Sequence, residues 1–172
     1  MHPSLIDIMI FAAGFGTRMK GLTDLIPKPL IKVRNKTLLD HTLGLQHKSN
    51  MNIIINAHYK HSLIESHLKD KPNITIVVEK PLIYDTGGGL KNALPKIKNN
   101  TLFTLNSDSI FKGINPLLLL ERAWDPNIME ALLLLIPPDR VIGHTGKGDF
   151  SINHKKQIER NGTGSILSLI HI

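Results

Sequence analysis

The residues best suited to chemistry in this sequence lie in one stretch near its beginning. The segment FAAGFGTRMK places Gly14 and Gly16 directly after an apolar run, and Lys28 follows between two prolines. A glycine-rich loop exposes backbone N–H groups that can hold phosphate oxygens, and the planar guanidinium of Arg18 suits a polyphosphate. The prolines restrict the backbone on both sides of Lys28. The pattern predicts a phosphate-binding loop with two cationic groups.

Two familiar glycine loops do not fit this stretch. The dinucleotide fingerprint needs a third glycine, and Met19 occupies that position. The Walker pattern fails because no Gly-Lys-Ser/Thr follows at the required spacing. A nicotinamide or flavin site is therefore disfavoured. The alternatives are a phosphate site of another kind, or a tight turn with a solvated lysine.

A carboxylate follows the fourth apolar run of the chain. The segment LNSDS places Asp108 just past the predicted strand, with Asn106 close enough to orient it or touch a nucleotide. Mg²⁺ prefers oxygen ligands and is usually held by one or two carboxylates, the other ligands being phosphates and water. Asn-Ser-Asp is also a common turn or helix cap. Beside the glycine loop, we interpret Asp108 as a metal ligand.

Other candidate residues lie on loops after predicted strands. Glycines in TGGGL allow close backbone approach to a base or ribose, with Thr86 as a hydrogen-bonding group; this group comprises Thr86, Gly87 and Gly88. Further polar residues on such loops are His58, Glu79 and Asp149. A flexible helix entry explains the glycines equally well, and an exposed strand end explains the glutamate. The histidines are scattered and show no zinc-site spacing.

Strands and helices must alternate to position these loops. Apolar runs predict strands at Ile6–Ala13, Asn52–Asn56, Ile74–Val78, Thr101–Leu105 and Glu130–Ile136. Helical spacing predicts helices at Leu38–His47, Tyr59–Lys69, Leu90–Lys98 and Asn115–Trp124, with Pro95 ending or kinking the third. A hairpin is expected within FSINHKKQIER. Such alternation predicts a mostly parallel sheet with helices on both faces, and ligands beyond the carboxyl ends of its strands.

Composition narrows the classes of partner. The chain has 172 residues, enough for one domain, and lysine plus arginine exceed aspartate plus glutamate to give a net charge of +7. That charge favours anionic partners, but the basic residues are scattered and aromatic residues are few, so we expect no nucleic acid partner. No apolar run approaches the roughly 20 residues that span a membrane. Without cysteine or a signal peptide, we expect a cytoplasmic protein with no membrane partner.

The motifs in their order resemble a known enzyme family. MIFAAGFGTRM followed by IPKPLIKV is similar to the signature of the sugar-1-phosphate nucleotidyltransferases. INAHY, TGGGLKNALP, LNSD and GKGDF extend the resemblance from about Asp7 to about Phe150. The Thr-Gly-Gly-Gly form is most similar to the branch containing N-acetylmuramate-1-phosphate uridylyltransferases and mannose-1-phosphate guanylyltransferase-like proteins. The resemblance implies a single α/β domain of Rossmann-like (GT-A-type) fold.

The resemblance also implies a reaction. A sugar-1-phosphate oxygen attacks the α-phosphorus of a nucleoside triphosphate, with UTP expected first, and pyrophosphate leaves. Arg18 would hold the departing phosphates, Lys28 would neutralise charge near the α-phosphate, and Asp108 would bind Mg²⁺; these are the implied catalytic residues. The implied nucleotide-binding set is Ala13, Gly14, Gly16, Thr17, Thr86, Gly87, Gly88 and Asn106. The implied sugar-binding set is His58, Glu79 and Asp149. Guanylyl transfer to mannose-1-phosphate and a non-catalytic nucleotide-binding module remain alternatives.

The end of the chain departs from the family pattern. Members of the family typically place a second metal-binding aspartate late in the chain, yet no carboxylate follows Glu159 here. The last six residues, LSLIHI, match no family segment and match one reading frame of a transposon-end adapter used for sequencing libraries. We expect a nucleotidyltransferase domain over residues 1–166 that is incomplete at its C-terminus, and a non-native tail over 167–172. Turnover by the chain itself is expected to be weak or absent.

Overall fold

A computed structural model describes residues 6–143, 150–155, 157–159 and 167–171. Ten strands form within these residues: β1 Ile6–Phe11, β2 Lys32–Val33, β3 Lys36–Thr37, β4 Met51–Ala57, β5 Ile74–Val78, β6 Leu102–Asn106, β7 Leu133–Ile136, β8 Ser151–Ile152, β9 Ile158–Glu159 and β10 Leu167–His171. Their α-helices are α1 Leu38–Leu43, α2 His61–Leu68, α3 Asp85–Ala93 and α4 Pro116–Ala123. Short 3₁₀ helices occupy Thr17–Thr23, Lys28–Leu30, Leu94–Lys96 and Pro138–Arg140.

Six of the strands form one mostly parallel sheet in the order β5-β4-β1-β6-β10-β7. β1 lies at the centre, parallel to β4 and β6, and β4 is parallel to β5. β10 is antiparallel to both of its neighbours, β6 and β7. Crossovers through helices bring the carboxyl ends of β1, β4 and β6 to the same edge, where ligands of such sheets bind.

Alternate residues of the central strand face opposite sides of the sheet. Ile8 and Ile10 belong to the larger apolar cluster, which includes residues of α1, α2 and α4, such as Leu39, Ile64 and Leu117. Met9 belongs to a second cluster on the other face, with Ile54 of β4 and Ala93 of α3. Helices therefore cover both faces, as the sequence predicted.

A buried carboxylate fixes the amino-terminal edge of the sheet. Asp7 is fully buried, and its Oδ1 accepts a hydrogen bond from the Asn52 side chain at 2.6 Å. Its Oδ2 accepts bonds from the backbone N–H groups of Lys98 and Asn99 and from the Asn99 side chain, at 2.7 to 2.9 Å. These bonds attach the segment after α3 to β1. The apolar run predicted the strand but did not indicate this role for Asp7.

The five predicted core strands are confirmed, with shifts at their ends. β5 has the predicted bounds, β1 ends two residues earlier, and the leucine-rich Glu130–Ile136 run contains the four-residue β7. β8 and β9 pair antiparallel as the expected hairpin. β10 is a strand of the main sheet; the non-native origin predicted for residues 167–172 stays a prediction. No helix of the described ranges is long and apolar enough for a membrane crossing.

All four helices differ from their predicted bounds, α2 and α4 by only one or two residues at each end and α1 and α3 by more. α1 ends at Leu43 rather than His47, because Gly44 follows and its N–H closes the last turn on the Asp40 carbonyl at 3.0 Å. α3 begins at Asp85 rather than Leu90, so the glycine triplet lies inside its first two turns. Glycine disfavours a helix interior by about 1 kcal/mol relative to alanine, which is why the sequence predicted a loop there. Pro95 ends this helix in a 3₁₀ turn, as predicted.

Candidate active site

A cavity of about 220 Å³ opens at the carboxyl ends of β1 and β6. Arg18, Lys28 and Asp108, which the sequence singled out as catalytic, all lie in its wall. The other lining residues are Phe11, Ala12, Gly14, Gly16, Thr17, Pro29, Asn106 and Ser107. The fold therefore brings the glycine loop, the lysine between prolines and the post-strand carboxylate to one place.

The fold requires glycine at position 16 of the loop but not at position 14. Gly16 adopts a left-handed conformation with φ of +68°, and an added Cβ would lie 2.9 Å from both Lys28 Cβ and Thr23 Cγ2. The fold itself therefore excludes a side chain at Gly16. At Gly14 an added Cβ would meet no heavy atom within 4 Å. The space beside Gly14 is open and is available to a ligand.

Two hydroxyl groups hold the glycine loop in place. The Thr23 hydroxyl lies within hydrogen-bonding distance of the carbonyls of Gly16 and Lys20, at 3.3 and 3.1 Å. The Tyr59 hydroxyl, from the segment after β4, donates to the Thr23 carbonyl at 3.0 Å. Phe15 lies beside the Tyr59 ring, with centroids 5.7 Å apart. The loop that carries Arg18 is thus attached to the neighbouring strand through side-chain bonds.

Lys28 and Asp108 form an ion pair across the cavity. The Lys28 ammonium donates to Asp108 Oδ2, and the two side chains are 25% and 33% exposed. Lys28 begins a 3₁₀ turn between the two prolines, which fixes where its side chain starts. A partly exposed ion pair contributes little net stability. A phosphate group or a metal ion that entered the cavity could therefore replace this ion pair at a small cost in free energy.

The Arg18 side chain is exposed at the cavity mouth and makes no hydrogen bond or ion pair with the described part of the chain. Its five N–H donors are therefore not committed to structural partners there. A guanidinium in this condition is suited to bidentate contact with phosphate oxygens. Arg18 and Lys28 make the cavity attractive to anions from two directions.

Asp108 lies in a turn two residues beyond the end of β6. Ser107 N–H donates to the Phe11 carbonyl at 3.2 Å, which extends the pairing of β6 with β1 and fixes the start of this turn. The described residues contain no group of three or more His, Cys, Asp and Glu that could hold a metal. One carboxylate facing a phosphate-sized cavity is nevertheless a donor set that fits Mg²⁺, which commonly takes its other ligands from phosphates and water.

The predicted base and ribose contacts lie outside the wall of this cavity, on the first turn of α3. Gly87 has open space where a Cβ would stand, whereas a Cβ on Gly88 would lie 2.8 Å from Tyr84 Cβ. Thr86 precedes them on the same turn. Ala13, also predicted to contact nucleotide, is buried beneath the glycine loop. Their contacts with nucleotide stay predictions.

Glu79 is 1% exposed, so the alternative of an exposed strand-end glutamate is wrong. Its Oε1 accepts a hydrogen bond from Asn56 Nδ2 at 2.7 Å, and its Oε2 accepts one from Tyr84 N–H at 2.8 Å. Asn56 Oδ1 accepts in turn from Ala12 N–H at 2.8 Å. Both oxygens of Glu79 therefore have partners within the protein, and its contact with a sugar stays a prediction.

His58 lies between the glycine loop and the end of β5. Its Nδ1 donates to the Glu79 carbonyl at 2.9 Å, and its ring meets Phe15 edge-on with centroids 5.4 Å apart. A sugar contact by His58 stays a prediction. Asp149, the third residue predicted to contact sugar, lies outside the described residues.

Sequence reasoning missed Asn56 and Tyr59 as residues that organise the site. Asn56 ends an otherwise apolar run in NIIINAHY, and a polar residue, Glu79, directly follows the next strand, β5. Polar residues that end adjacent parallel strands lie at the same edge of a sheet. This pattern could have predicted the contact between Asn56 and Glu79.

Comparisons with known proteins agree on one family. Residues 8–140 match the family described as nucleotidyl transferase. The chain is 33% identical over 176 residues to the N-acetylmuramate alpha-1-phosphate uridylyltransferase of Caulobacter vibrioides, a match covering 95% of this chain and 72% of that protein. It is 29% identical over 114 residues to the mannose-1-phosphate guanylyltransferase of Mycobacterium tuberculosis, covering 60% of this chain and 30% of that protein.

A solved structure agrees with the fold. The inositol-1-phosphate CTP transferase of T. maritima superposes with a TM-score of 0.77 at 15% sequence identity, covering 99% of this chain and 71% of that one. At this identity the likeness concerns the fold alone. It confirms the predicted mostly parallel α/β architecture.

Proposed function

The chain belongs to the nucleotidyl transferase family, and from that premise we propose that it transfers a nucleotidyl group from a nucleoside triphosphate to a sugar-1-phosphate. The observation that carries the proposal is the meeting of Arg18, Lys28 and Asp108 around the glycine loop in one cavity. Two cationic side chains and a carboxylate, with open space beside the backbone of Gly14, suit a triphosphate whose terminal phosphates must leave.

The reaction makes one bond and breaks one. A phosphate oxygen of the sugar-1-phosphate attacks the α-phosphorus, and the bond from that phosphorus to the β-phosphate oxygen breaks, so that pyrophosphate leaves with the bonding electrons. No proton need be removed, because the attacking phosphate oxygen is already ionised. The chain therefore contributes positioning and charge stabilisation rather than covalent chemistry.

Each of the three charged residues in the cavity has a role that follows from its charge and place. Arg18 holds the β- and γ-phosphates and stabilises the charge that develops on pyrophosphate. Lys28 leaves Asp108 when the triphosphate binds and neutralises the oxygens around the α-phosphorus. Asp108 would hold Mg²⁺ together with phosphate oxygens. When bound, the metal supplies charge neutralisation and a fixed triphosphate geometry.

UTP and an N-acetylmuramate-type sugar-1-phosphate are the substrates that we propose first. Support comes from the Caulobacter relative, whose similarity extends over 95% of this chain. Guanylyl transfer to mannose-1-phosphate is the second candidate, supported by the mycobacterial relative at lower identity and coverage. A non-catalytic nucleotide-binding module is the third, since the same cavity can bind a triphosphate without transferring it.

Pyrophosphate release separates these candidates. The chain is incubated with Mg²⁺ and either UTP or GTP, crossed with N-acetylmuramate 1-phosphate and mannose 1-phosphate, and direct nucleotide binding is measured in parallel. Because turnover by this chain is expected to be weak, release is measured at high enzyme concentration. We expect it to be fastest with UTP and N-acetylmuramate 1-phosphate and to be lost in Asp108→Asn. Faster release with GTP and mannose 1-phosphate would support the second candidate.

The control variant is Arg122→Lys, an exposed change on α4, which should leave release unchanged. Nucleotide binding without pyrophosphate release from any pair would mean that this chain by itself binds nucleotide without transferring it, as the third candidate states. Absence of both binding and release would contradict the proposed function.

A further inference from the structure

A buried chain of hydrogen bonds connects the two arms of the nucleotide site. It begins at the Ala12 N–H, passes through the side chains of Asn56 and Glu79, and ends at the Tyr84 N–H, with donor–acceptor distances of 2.7 to 2.8 Å. Ala12 opens the glycine loop, and Tyr84 is the N-cap residue of α3. The Asn56 and Glu79 side chains are 2% and 1% exposed. The first two bonds are therefore shielded from competing water, and the third, at Tyr84, is partly buried.

Asn56 continues the central sheet beyond its last backbone pair. β1 and β4 pair in parallel up to Phe11 and Asn56, and the next N–H, that of Ala12, is buried. A buried backbone N–H needs an acceptor, and the Asn56 side-chain carbonyl supplies it. The other end of the same amide donates to Glu79. One amide thus sets the entry of the glycine loop and holds a carboxylate under α3.

Glu79 is held in place by its backbone as well. Its N–H donates to the Ala57 carbonyl at 2.8 Å, and its carbonyl accepts from His58 Nδ1 at 2.9 Å. α3 also approaches the pair closely: a Cβ on Gly89 would lie 2.6 Å from both Asn56 Nδ2 and Glu79 Oε1. Glycine at this position lets the helix lie directly on the two side chains. The spacing between loop and helix is therefore fixed by contact as well as by hydrogen bonds.

We infer that Asn56 and Glu79 are positioning residues that hold the glycine loop and the first turn of α3 at one fixed spacing, so that the phosphates and the nucleoside of one nucleotide are bound together. The inference rests on the proposed function, which assigns the phosphates to the loop, and on the predicted contact of the first turn of α3 with base or ribose. Neither residue needs to touch the nucleotide. Each acts through the backbone that it anchors.

Exchanging donors for acceptors tests the link without removing either anchor. In Asn56→Asp, a carboxylate oxygen still accepts from Ala12 N–H, but another oxygen now faces Glu79. In Glu79→Gln, the amide oxygen can still accept from Tyr84 N–H, but two NH₂ groups then face each other. Each single variant thus removes the central bond as it stands and changes the buried charge by one unit, to two facing carboxylates in Asn56→Asp and to none in Glu79→Gln. The double variant Asn56→Asp/Glu79→Gln reverses that bond, satisfies every donor and acceptor, and retains one negative charge.

The affinities of the intact chain and the three variants are measured with Mg²⁺ for two probes: UTP, which spans both arms, and inorganic tripolyphosphate, which reaches only the loop. We expect each single variant to bind UTP about tenfold more weakly, with tripolyphosphate affinity unchanged. The double variant should bind UTP within about threefold of the original chain. Measurements are made well below the thermal unfolding midpoint of each variant, which is determined separately.

Three results would overturn the inference: single variants that bind UTP normally, a double variant no better than the singles, or equal losses for UTP and tripolyphosphate. The last would mean that the pair merely supports the fold of the loop. If the original chain bound neither probe, the proposed function would fail, and this inference with it. That result differs from the other three, all of which leave nucleotide binding by the original chain intact.

Discussion

The ammonium group of Lys28 pairs with the carboxylate of Asp108 across the candidate active site, although 80 residues separate them in the chain. Both side chains are partly exposed. The two groups therefore compensate each other's charge while the nucleotide is absent. Lys28 lies against the carboxylate that we propose as a metal ligand, so we expect metal and lysine to compete for Asp108.

Lys28→Met should separate metal binding from catalysis. Removing the competing cation should raise the affinity of the cavity for Mn²⁺ about tenfold, measured by paramagnetic resonance without nucleotide. Pyrophosphate release should fall by a factor of about 100 or more, because charge at the α-phosphorus is no longer neutralised. Lys32→Met, an exposed lysine change on β2, is the matched control. Unchanged Mn²⁺ affinity in Lys28→Met would contradict the competition.

Alanine at the two loop glycines should give opposite results. Gly16→Ala places a Cβ in a left-handed backbone 2.9 Å from two side-chain atoms. It should lower the free energy of unfolding by about 1–3 kcal/mol. Gly14→Ala meets no heavy atom within 4 Å and should leave that free energy within about 0.5 kcal/mol. Its UTP affinity should nevertheless fall, because the Cβ enters the space predicted for phosphate.

Urea unfolding and UTP titration of both glycine variants distinguish these effects. A stable Gly14→Ala chain with normal UTP affinity would show that phosphates do not approach this part of the loop. A Gly16→Ala chain as stable as the original would contradict the crowding at that position.

Arg18→Lys should weaken nucleotide binding without destabilising the fold. The guanidinium has no partner among the described residues, so its loss removes no internal bond. Lysine keeps the charge but cannot form the bidentate contact with two phosphate oxygens. We expect the Kd for UTP to rise about tenfold, with thermal unfolding unchanged. Arg122→Lys on α4 is the control, and an equal effect of both changes would exclude a specific role for Arg18.

The carboxylate of Asp40 should make stability depend on pH in the acidic range. Burial raises its pKa, but hydrogen bonds from Thr37, His67 and Lys71 outweigh that effect and lower the pKa from 3.8 to about 2. The contribution is therefore fully present above about pH 4 and is lost as the pH falls through 2. Asp40→Asn should cost on the order of 1 to 2 kcal/mol at pH 7 and much less near pH 2.

Urea unfolding of Asp40→Asn at several pH values checks this dependence. Asp70→Asn replaces an exposed aspartate and should leave the pH profile unchanged. A constant difference between Asp40→Asn and the original chain from pH 2 to 7 would mean that the ionised carboxylate is not the source of the stability.

The local sequence was sufficient to predict the strands, the glycine loop and the edge of the sheet at which the site lies. Short β-branched runs such as ITIVV form strands almost independently of their surroundings, because their stiff side chains fit a pleated surface. Asp108 could be placed just beyond the fourth such run for the same reason. The rule that parallel strands deliver their carboxyl ends to one edge then placed it near the glycine loop.

Tertiary structure decided which of these residues are partners. The local sequence does not indicate whether a glutamate next to a strand is exposed or buried. Glu79 is buried because its two carboxylate oxygens accept hydrogen bonds from Asn56, 23 residues earlier, and from Tyr84. The glycines before Leu90 favour a loop locally, yet they lie within α3. The helix packs so closely against Asn56 and Glu79 that position 89 has no room for a Cβ, and only glycine fits there. Local propensities are worth a fraction of a kcal/mol to about 1 kcal/mol per residue. Buried hydrogen bonds and close packing between distant segments exceed them, and these appear only when the chain is folded.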